Sequence, residues 1–118
     1  MKTKKKLQLL ISYEEKAELK EKHLRKLIKF SKDKDSLVRS SAASILINFE
    51  NKAAKKALLE LAGDKKAMVR CEAYDSLSVF QRKDVEKFLK KAVEEEENEL
   101  ALSYAIMSWA DVAAARGK

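Results

Sequence analysis

Proline is absent from this sequence of 118 residues, and glycine occurs only at Gly63 and Gly117. Residues that favour strands are also few, since six Val, five Ile and one Thr stand against 16 Ala and 15 Leu. Strands are rich in β-branched residues and their turns in glycine and proline, so the composition argues against a sheet. With 46% apolar and 38% charged residues, the chain favours a single all-α domain with one core.

Histidine and cysteine occur once each, as His23 and Cys71. A single cysteine excludes an intramolecular disulfide, and one residue of each kind is too few for a zinc site. We expect His23 at the surface or at the boundary of the core on a Lys-rich helix, and Cys71 in helix packing rather than as a nucleophile. The glutamate run 94–97 lacks the spacing of a calcium loop and predicts a solvated turn between helices. The sequence therefore indicates a protein that is not an enzyme and holds no metal or cofactor.

The formal net charge of +7 is concentrated in the first part of the chain. Residues 1–62 hold 16 Lys and Arg against 8 Asp and Glu, whereas residues 63–118 hold 10 against 11. Clustered lysines attract anionic partners, which leaves non-specific nucleic-acid binding open. The lysines that would serve it are Lys2, Lys4, Lys5, Lys6, Lys52, Lys55 and Lys56. Because most of the excess is Lys rather than Arg, readout of bases is disfavoured.

The basic first residues of the chain have the form of an export signal over a short stretch only. Its apolar stretch, residues 7–11, is interrupted by Gln8 and is shorter than the about 7 to 15 residues that such a signal needs. No apolar run approaches the about 18 residues of a bilayer-spanning helix. We therefore expect a cytoplasmic protein that does not bind membranes.

An internal repeat decides the predicted fold. Placing residues 30–49 over residues 61–80 gives seven identities without a gap. They pair Asp33, Lys34, Val38, Arg39, Ala42, Leu46 and Phe49 with Asp64, Lys65, Val69, Arg70, Ala73, Leu77 and Phe80. The shared apolar positions recur every three or four residues, which is the spacing of one buried helix face. A second apolar segment precedes each copy, so each unit is predicted to be a pair of helices.

A weaker third copy follows at the same shift, with Leu100 in the place of Val38 and Val69. Its departure from the pattern is typical of the last unit of a stacked array. Residues 3–11 are either the second helix of a preceding unit or an added cap. The chain is divided into an N-terminal cap (1–12), repeat 1 (13–49), repeat 2 (51–80) and repeat 3 with the C-terminal cap (84–115).

Polar residues mark the predicted ends of the helices. Residues 12–15, Ser-Tyr-Glu-Glu, have the form of a capping box, which predicts a helix from there to about Ser31. Gly63 is expected to take the left-handed conformation that ends a helix. The other helix starts are predicted at Asp35 or Ser36, Asn51, Asp84 and Asn98. Six main helices and a short N-terminal piece result.

Residues 33–46, with the sequence DKDSLVRSSAASIL, resemble the D-x-D-x-x-V-R-x-x-A-A-x-x-L core of HEAT repeats. The second copy keeps the Val, the Arg, the first Ala and the Leu, but has Lys66 and Tyr74 where the pattern has Asp and Ala. The resemblance implies a right-handed α-α superhelix of about three helical hairpins plus a short N-terminal capping helix. It also implies ion pairs across neighbouring units, with Asp33, Asp35 and Asp64 as candidates to pair with Arg39 and Arg70.

HEAT arrays are binding scaffolds more often than enzymes, so the resemblance implies a protein–protein interaction module whose second helices line a concave face. At 100° per residue, the side of residues 36–49 opposite the repeated apolar positions is the predicted partner-binding surface. With its counterparts in later units, this surface comprises Ser40, Ser44, Ile47, Cys71, Asp75, Ser78, Leu102, Ile106 and Trp109. Alternatively, the last three residues cover the end of the core against Val112.

Two other functions stay open at this point. A compact helical chain suits an immunity or antitoxin-like protein that blocks a toxin, and the lysines of the first half suit nucleic acid. The partner is expected to be a protein, acidic if the lysines take part, and the oligomeric state is open.

Overall fold

The computed structural model describes residues 1–117, which form seven α-helices and no strand. The helices are α1 (Thr3–Glu14), α2 (Glu21–Phe30), α3 (Ser36–Ile45), α4 (Lys52–Leu61), α5 (Ala67–Leu77), α6 (Lys83–Glu95) and α7 (Glu99–Arg116). A 3₁₀ turn, Leu46–Asn48, extends α3. The prediction of an all-α chain is confirmed.

The helices lie in two layers. Each of α2, α4 and α6 forms a hairpin with the helix that follows it, and the second helices α1, α3, α5 and α7 contact one another in that order. Contacts between successive second helices are more extensive than contacts between successive first helices, so the stack curves with the second helices on its inner side. The result is a solenoid of three hairpins, in which α1 takes the second-helix place of an incomplete unit.

Three of the predicted helix caps are confirmed. The side chains of Asp35, Asn51 and Asn98 accept main-chain N–H groups in the first turns of α3, α4 and α7 at 2.8, 2.9 and 2.9 Å. A cap of this kind contributes about 1 kcal/mol to helix stability. The prediction for Asp84 is wrong, because this residue lies inside α6 and its carboxylate instead accepts a hydrogen bond from Lys55 Nζ at 2.6 Å.

The predicted capping box at residues 12–15 is also wrong. Helix α1 continues through Ser12, whose hydroxyl donates to the carbonyl of Leu9 at 2.6 Å. Neither glycine nor proline interrupts this segment, and Tyr13 packs edge-on against His23 with ring centroids 4.8 Å apart. Burial of both rings favours the additional turn, so the boundary that we placed after residue 12 falls within a helix. His23 is therefore buried rather than at the surface, and its Nδ1 accepts the N–H of Lys20 at 2.7 Å.

The second helix of the third hairpin lies one position later than the repeat predicts. Leu27, Leu58 and Leu89 keep the repeat spacing on the first helices and are all fully buried. On α7, however, Leu100 is 64% exposed and Ala101 is fully buried. The repeat alignment is thus wrong by one position after Leu89, because α6 is three residues longer than α4 while the turn that follows it is two residues shorter.

Gly63 does not take the predicted left-handed conformation, since no glycine in residues 1–117 has a positive φ. A Cβ at this position would meet only the carbonyl of Glu60, at the ordinary distance of 3.5 Å. We expect Gly63→Ala to raise the free energy of unfolding by about 0.4–1 kcal/mol, because alanine restricts the unfolded chain. Urea unfolding measures this change, and a clear loss of stability would show that the position needs glycine after all.

Candidate functional site

A series of ion pairs joins each second helix to the next hairpin. In each pair, the fourth residue of α1, α3 or α5 contacts an acidic residue in the turn between the helices of the following hairpin. The pairs are Lys6–Asp33, Arg39–Asp64 at 2.7 Å and Arg70–Glu96 at 2.8 Å. Each arginine also donates to a main-chain carbonyl in its own hairpin, Arg39 to Asp33 at 2.8 Å and Arg70 to Asp64 at 2.9 Å. These contacts set how the second helices lie beside one another.

Four of the five residues predicted for these pairs take part in them, and Asp35 does not. Its carboxylate caps α3 and accepts the hydroxyl of Thr3 at 3.3 Å. Lys6 and Glu96 also take part, and the sequence pattern did not predict them. Glu96 was assigned to a solvated turn, yet its side chain is only 4% exposed. The shift that aligns the first two copies places Glu95 at the position of Asp64, and the additional residue in this hairpin brings Glu96 there instead.

Glu96 is the most strongly bound carboxylate of the series. It accepts two hydrogen bonds from Arg70, at 2.8 and 2.9 Å, one from the Tyr74 hydroxyl at 2.8 Å and one from the Asn98 N–H at 3.0 Å. The Arg70 guanidinium lowers the pKa of Glu96 from 4.5 to about 2, although burial opposes the shift. Burial and the hydrogen bond to Glu96 raise the pKa of Tyr74. The Glu96 carboxylate therefore stays ionised at neutral pH, and its contacts hold α5 to the turn before α7.

The second helices leave one side open to solvent. On α3, α5 and α7, and in the turns that directly follow α3 and α5, the residues of this side recur at spacings of four, three and four, and we call them the inner face. They are Leu37, Ser41, Ser44 and Asn48, then Met68, Glu72, Asp75 and Val79, then Leu100, Tyr104, Met107 and Asp111. All twelve are exposed or partly exposed. The inner face is therefore a surface about three helical turns long and three helices wide.

The predicted partner-binding surface is rotated by about 60° from the inner face, given 100° per residue. Ser40 and Cys71 are only 8% and 5% exposed, because they lie between neighbouring second helices. A hydrogen bond of 2.7 Å from the Ser76 hydroxyl to the Ala43 carbonyl crosses the same junction. A second helix in a stack is covered by its first-helix layer and by second helices on both sides. Its open side is therefore about 120° from the repeated apolar positions rather than directly opposite them.

The remaining predicted residues divide among several surroundings. Ser44 and Asp75 belong to the inner face, and Ile47 and Ser78 are partly exposed at the ends of their helices. Leu102 is the fourth residue of α7, the position that Arg39 and Arg70 have in α3 and α5, and it is partly buried. Ile106 is exposed beside the inner face. Trp109 packs against the core, and its Nε1 is buried without a hydrogen-bond partner in residues 1–117.

Exposed apolar side chains are concentrated on the inner face. Leu37, Met68, Leu100 and Met107 are 49%, 44%, 64% and 67% exposed, and they account for four of the seven large apolar side chains that residues 1–117 leave exposed. The first three occupy the same position in successive second helices and form an apolar row across the stack. Their recurrence in register was a signal in the sequence, since Leu37 and Met68 align in the first two copies of the repeat.

The charge of the inner face is opposite to that of the whole chain. It carries Glu72, Asp75 and Asp111 and no basic residue, and none of the three forms an ion pair within the described residues. Burial raises the pKa of Glu72, and the charges of Asp75 and Glu14 raise it further, although the Ser44 hydroxyl opposes them. Like charges therefore meet at the centre of this face without a cation to compensate them.

Basic residues instead cover the first-helix layer, which we call the outer face. Its exposed cations include Lys22, Arg25, Lys29, Lys52, Lys56, Lys83, Lys87, Lys90 and Lys91. Of the seven lysines that the sequence suggested for nucleic acid, Lys6 and Lys55 are held in ion pairs with Asp33 and Asp84. Residues 1–117 contain no cluster of His, Cys, Asp and Glu that could hold a metal ion. Over the same range, no helix combines the length and the apolar character that crossing a membrane requires.

Comparison with known proteins agrees with this architecture. A family model described as HEAT repeats matches residues 24–110, from the first turns of α2 to the middle of α7. Searches of curated proteins and of solved structures found no significant match. Because the family match covers most of the chain, and the hairpins stack in register over the same residues, the chain belongs to the HEAT-repeat family.

Proposed function

We propose that this chain is a non-enzymatic adaptor whose protein partner binds the inner face. HEAT repeats are generally protein-interaction modules, and their fold is typically a scaffold rather than an enzyme. The observation that carries the proposal is the apolar row of Leu37, Met68 and Leu100, which recurs on the open side of successive helices. Contiguous exposed apolar side chains on a folded domain mark interaction surfaces.

The contrast with the outer face supports this choice. None of the large exposed apolar side chains of residues 1–117 lies on α2, α4 or α6, where lysines predominate. The apolar row contributes less to the core than buried residues do, because about half of each side chain remains exposed to water. A partner that covers them gains about 25 cal/mol for each Å² of apolar surface removed from water. The row is therefore better explained by binding than by folding.

Affinity capture from the native host followed by mass spectrometry would identify a partner, and titration calorimetry would then test the inner face. We expect Met68→Ser with Leu100→Ser to weaken binding about 10- to 100-fold, because each truncation loses about 1 kcal/mol or more of apolar burial. Lys56→Ser with Lys87→Ser makes a matched double change on the outer face and should leave the affinity unchanged. Equal affinities for the two double variants would remove the inner face from consideration.

A narrower form of the proposal is an immunity or antitoxin-like protein, in which the partner is a toxin that the chain blocks. The identity of the neighbouring genes would test it.

The exposed lysines of the outer face favour a second candidate function, non-specific binding of nucleic acid. Such binding falls steeply as salt rises, because each phosphate contact releases a counterion. An electrophoretic shift with duplex and single-stranded DNA at low salt tests it, and Lys56→Ser with Lys87→Ser should then weaken the complex. If neither duplex nor single-stranded DNA is shifted at low salt, non-specific binding of nucleic acid is rejected.

A further inference from the structure

We propose that the occupant of the inner face is a basic amphipathic helix of the partner protein, an inference that rests on the proposed function. The apolar side chains of this helix would cover Leu37, Met68 and Leu100, and its Lys or Arg side chains would face Glu72, Asp75 and Asp111.

The spacing of the apolar row suits a helix that lies across the stack. Neighbouring second helices pack about 8–10 Å apart. Residues i and i+7 of a helix are separated by two turns, or about 10.5 Å, so such a helix can place one apolar side chain on each second helix. Leu37, Met68 and Leu100 would then contact three side chains of one helix face. A helix of about 15 residues is enough to cover the row.

The acidic side chains select the charge of the occupant. Glu72 lies one helical turn after Met68, and Asp75 lies three residues further along the same side of α5. The mutual repulsion of Glu72, Asp75 and Glu14 is unfavourable in the free protein, and an ammonium or guanidinium group between them removes it. An acidic helix at the same place would add to the repulsion. Charge complementarity therefore favours a cationic partner over an acidic or neutral one.

The lysines of the outer face do not cancel this preference. They lie on the other layer of a molecule whose smallest dimension is 19 Å. At physiological ionic strength the Debye length is about 8 Å, so charges on the outer face are largely screened from a ligand on the inner face. The local carboxylates, rather than the net charge of +7, decide which helix is bound.

Two synthetic peptides test the proposal. The first is an 18-residue helix with Leu at every seventh position and Lys on the flanks, and the second replaces each Lys with Glu. Fluorescence anisotropy of the labelled peptides would give the affinities. We expect the Lys peptide to bind and the Glu peptide to bind at least tenfold more weakly. Glu72→Gln with Asp75→Asn should weaken binding of the Lys peptide about five- to tenfold, because two partly exposed ion pairs are lost.

The matched control is Glu60→Gln with Glu94→Gln, which makes the same change in net charge at exposed positions of the outer face. This control should bind the Lys peptide as the original chain does. The proposal is overturned if the Glu peptide binds as tightly as the Lys peptide, if the Lys peptide fails to bind, or if the two double variants weaken it equally.

The captured partner separates failure of this inference from failure of the proposed function. If Met68→Ser with Leu100→Ser weakens partner binding and Glu72→Gln with Asp75→Asn does not, the inner face remains the binding site and the basic helix is rejected. If neither double variant changes the affinity, both proposals fall. A concentration-dependent dimer that Met68→Ser with Leu100→Ser abolishes, seen by sedimentation of the chain alone, would assign the inner face to a second copy instead.

Discussion

Replacing Glu96 with Gln is expected to lower the free energy of unfolding by about 2–3 kcal/mol, towards the lower end of what breaking a buried ion pair costs. Glutamine has nearly the same shape and can still accept hydrogen bonds. It leaves the guanidinium of Arg70, which is 20% exposed, without a counter-charge. The Tyr74 hydroxyl and the Asn98 N–H also exchange a charged acceptor for a weaker neutral one. Urea unfolding followed by circular dichroism measures the loss.

The adjacent Glu95 supplies the control for this prediction. Its side chain is exposed in the last turn of α6, where an acidic residue faces the negative end of the helix. We expect Glu95→Gln to change the stability by no more than about 0.5 kcal/mol. If Glu95→Gln proves as costly as Glu96→Gln, the register of the third hairpin described above is incorrect.

The pH dependence of stability gives a second readout for Glu96. Its pKa is about 2 in the folded protein and 4.5 without the fold, so its contribution is complete above pH 4.5 and is lost as the pH falls towards 2. Asp33 and Asp64 act in the same direction: burial raises their pKa values, but hydrogen bonds from Lys6 and Arg39 and from main-chain N–H groups outweigh it. The stability of Glu96→Gln should therefore depend less on pH below 4.5 and approach that of the original chain near pH 2.

Replacing Leu77 with Ala is expected to cost about 3 kcal/mol, within the range of 2–5 kcal/mol for truncation of a buried leucine. Leu77 is fully buried at the end of α5. The cavity left by its side chain would lie in a close-packed core that can collapse only in part. Thermal and urea unfolding would both report the loss.

Leu100→Ala removes the same atoms from a side chain that is 64% exposed, and we expect it to change stability by no more than about 0.5 kcal/mol. A large cost at Leu100 would place this residue in the core, where a uniform repeat spacing puts it, and would also remove it from the inner face. The two leucine truncations therefore test the core and the register of α7 together.

Local features were predictable where they depend on a few neighbouring residues. Asp35, Asn51 and Asn98 cap helices because their short side chains reach the next main-chain N–H groups. Arg39 and Asp64 were recognisable as ion-pair candidates because they match the HEAT pattern, which implies such pairs. Features that depend on the packing of distant segments were missed. Helix α1 extends past Ser12 because Tyr13 meets His23, and nothing in residues 12–15 by themselves indicates that contact.

The partner surface likewise depends on the packing of distant segments. The sequence by itself determined that the chain is all-α and that its hairpins repeat. It did so because helix propensity, capping and the spacing of apolar residues act over a few turns of one helix. Only the tertiary structure decided which side of each second helix stays open and that Glu96 rather than Glu95 completes the ion pairs. The open side depends on which neighbouring helices cover each second helix. The pairing of Glu96 depends on one additional residue in the third hairpin. Neither is apparent until the hairpins are stacked.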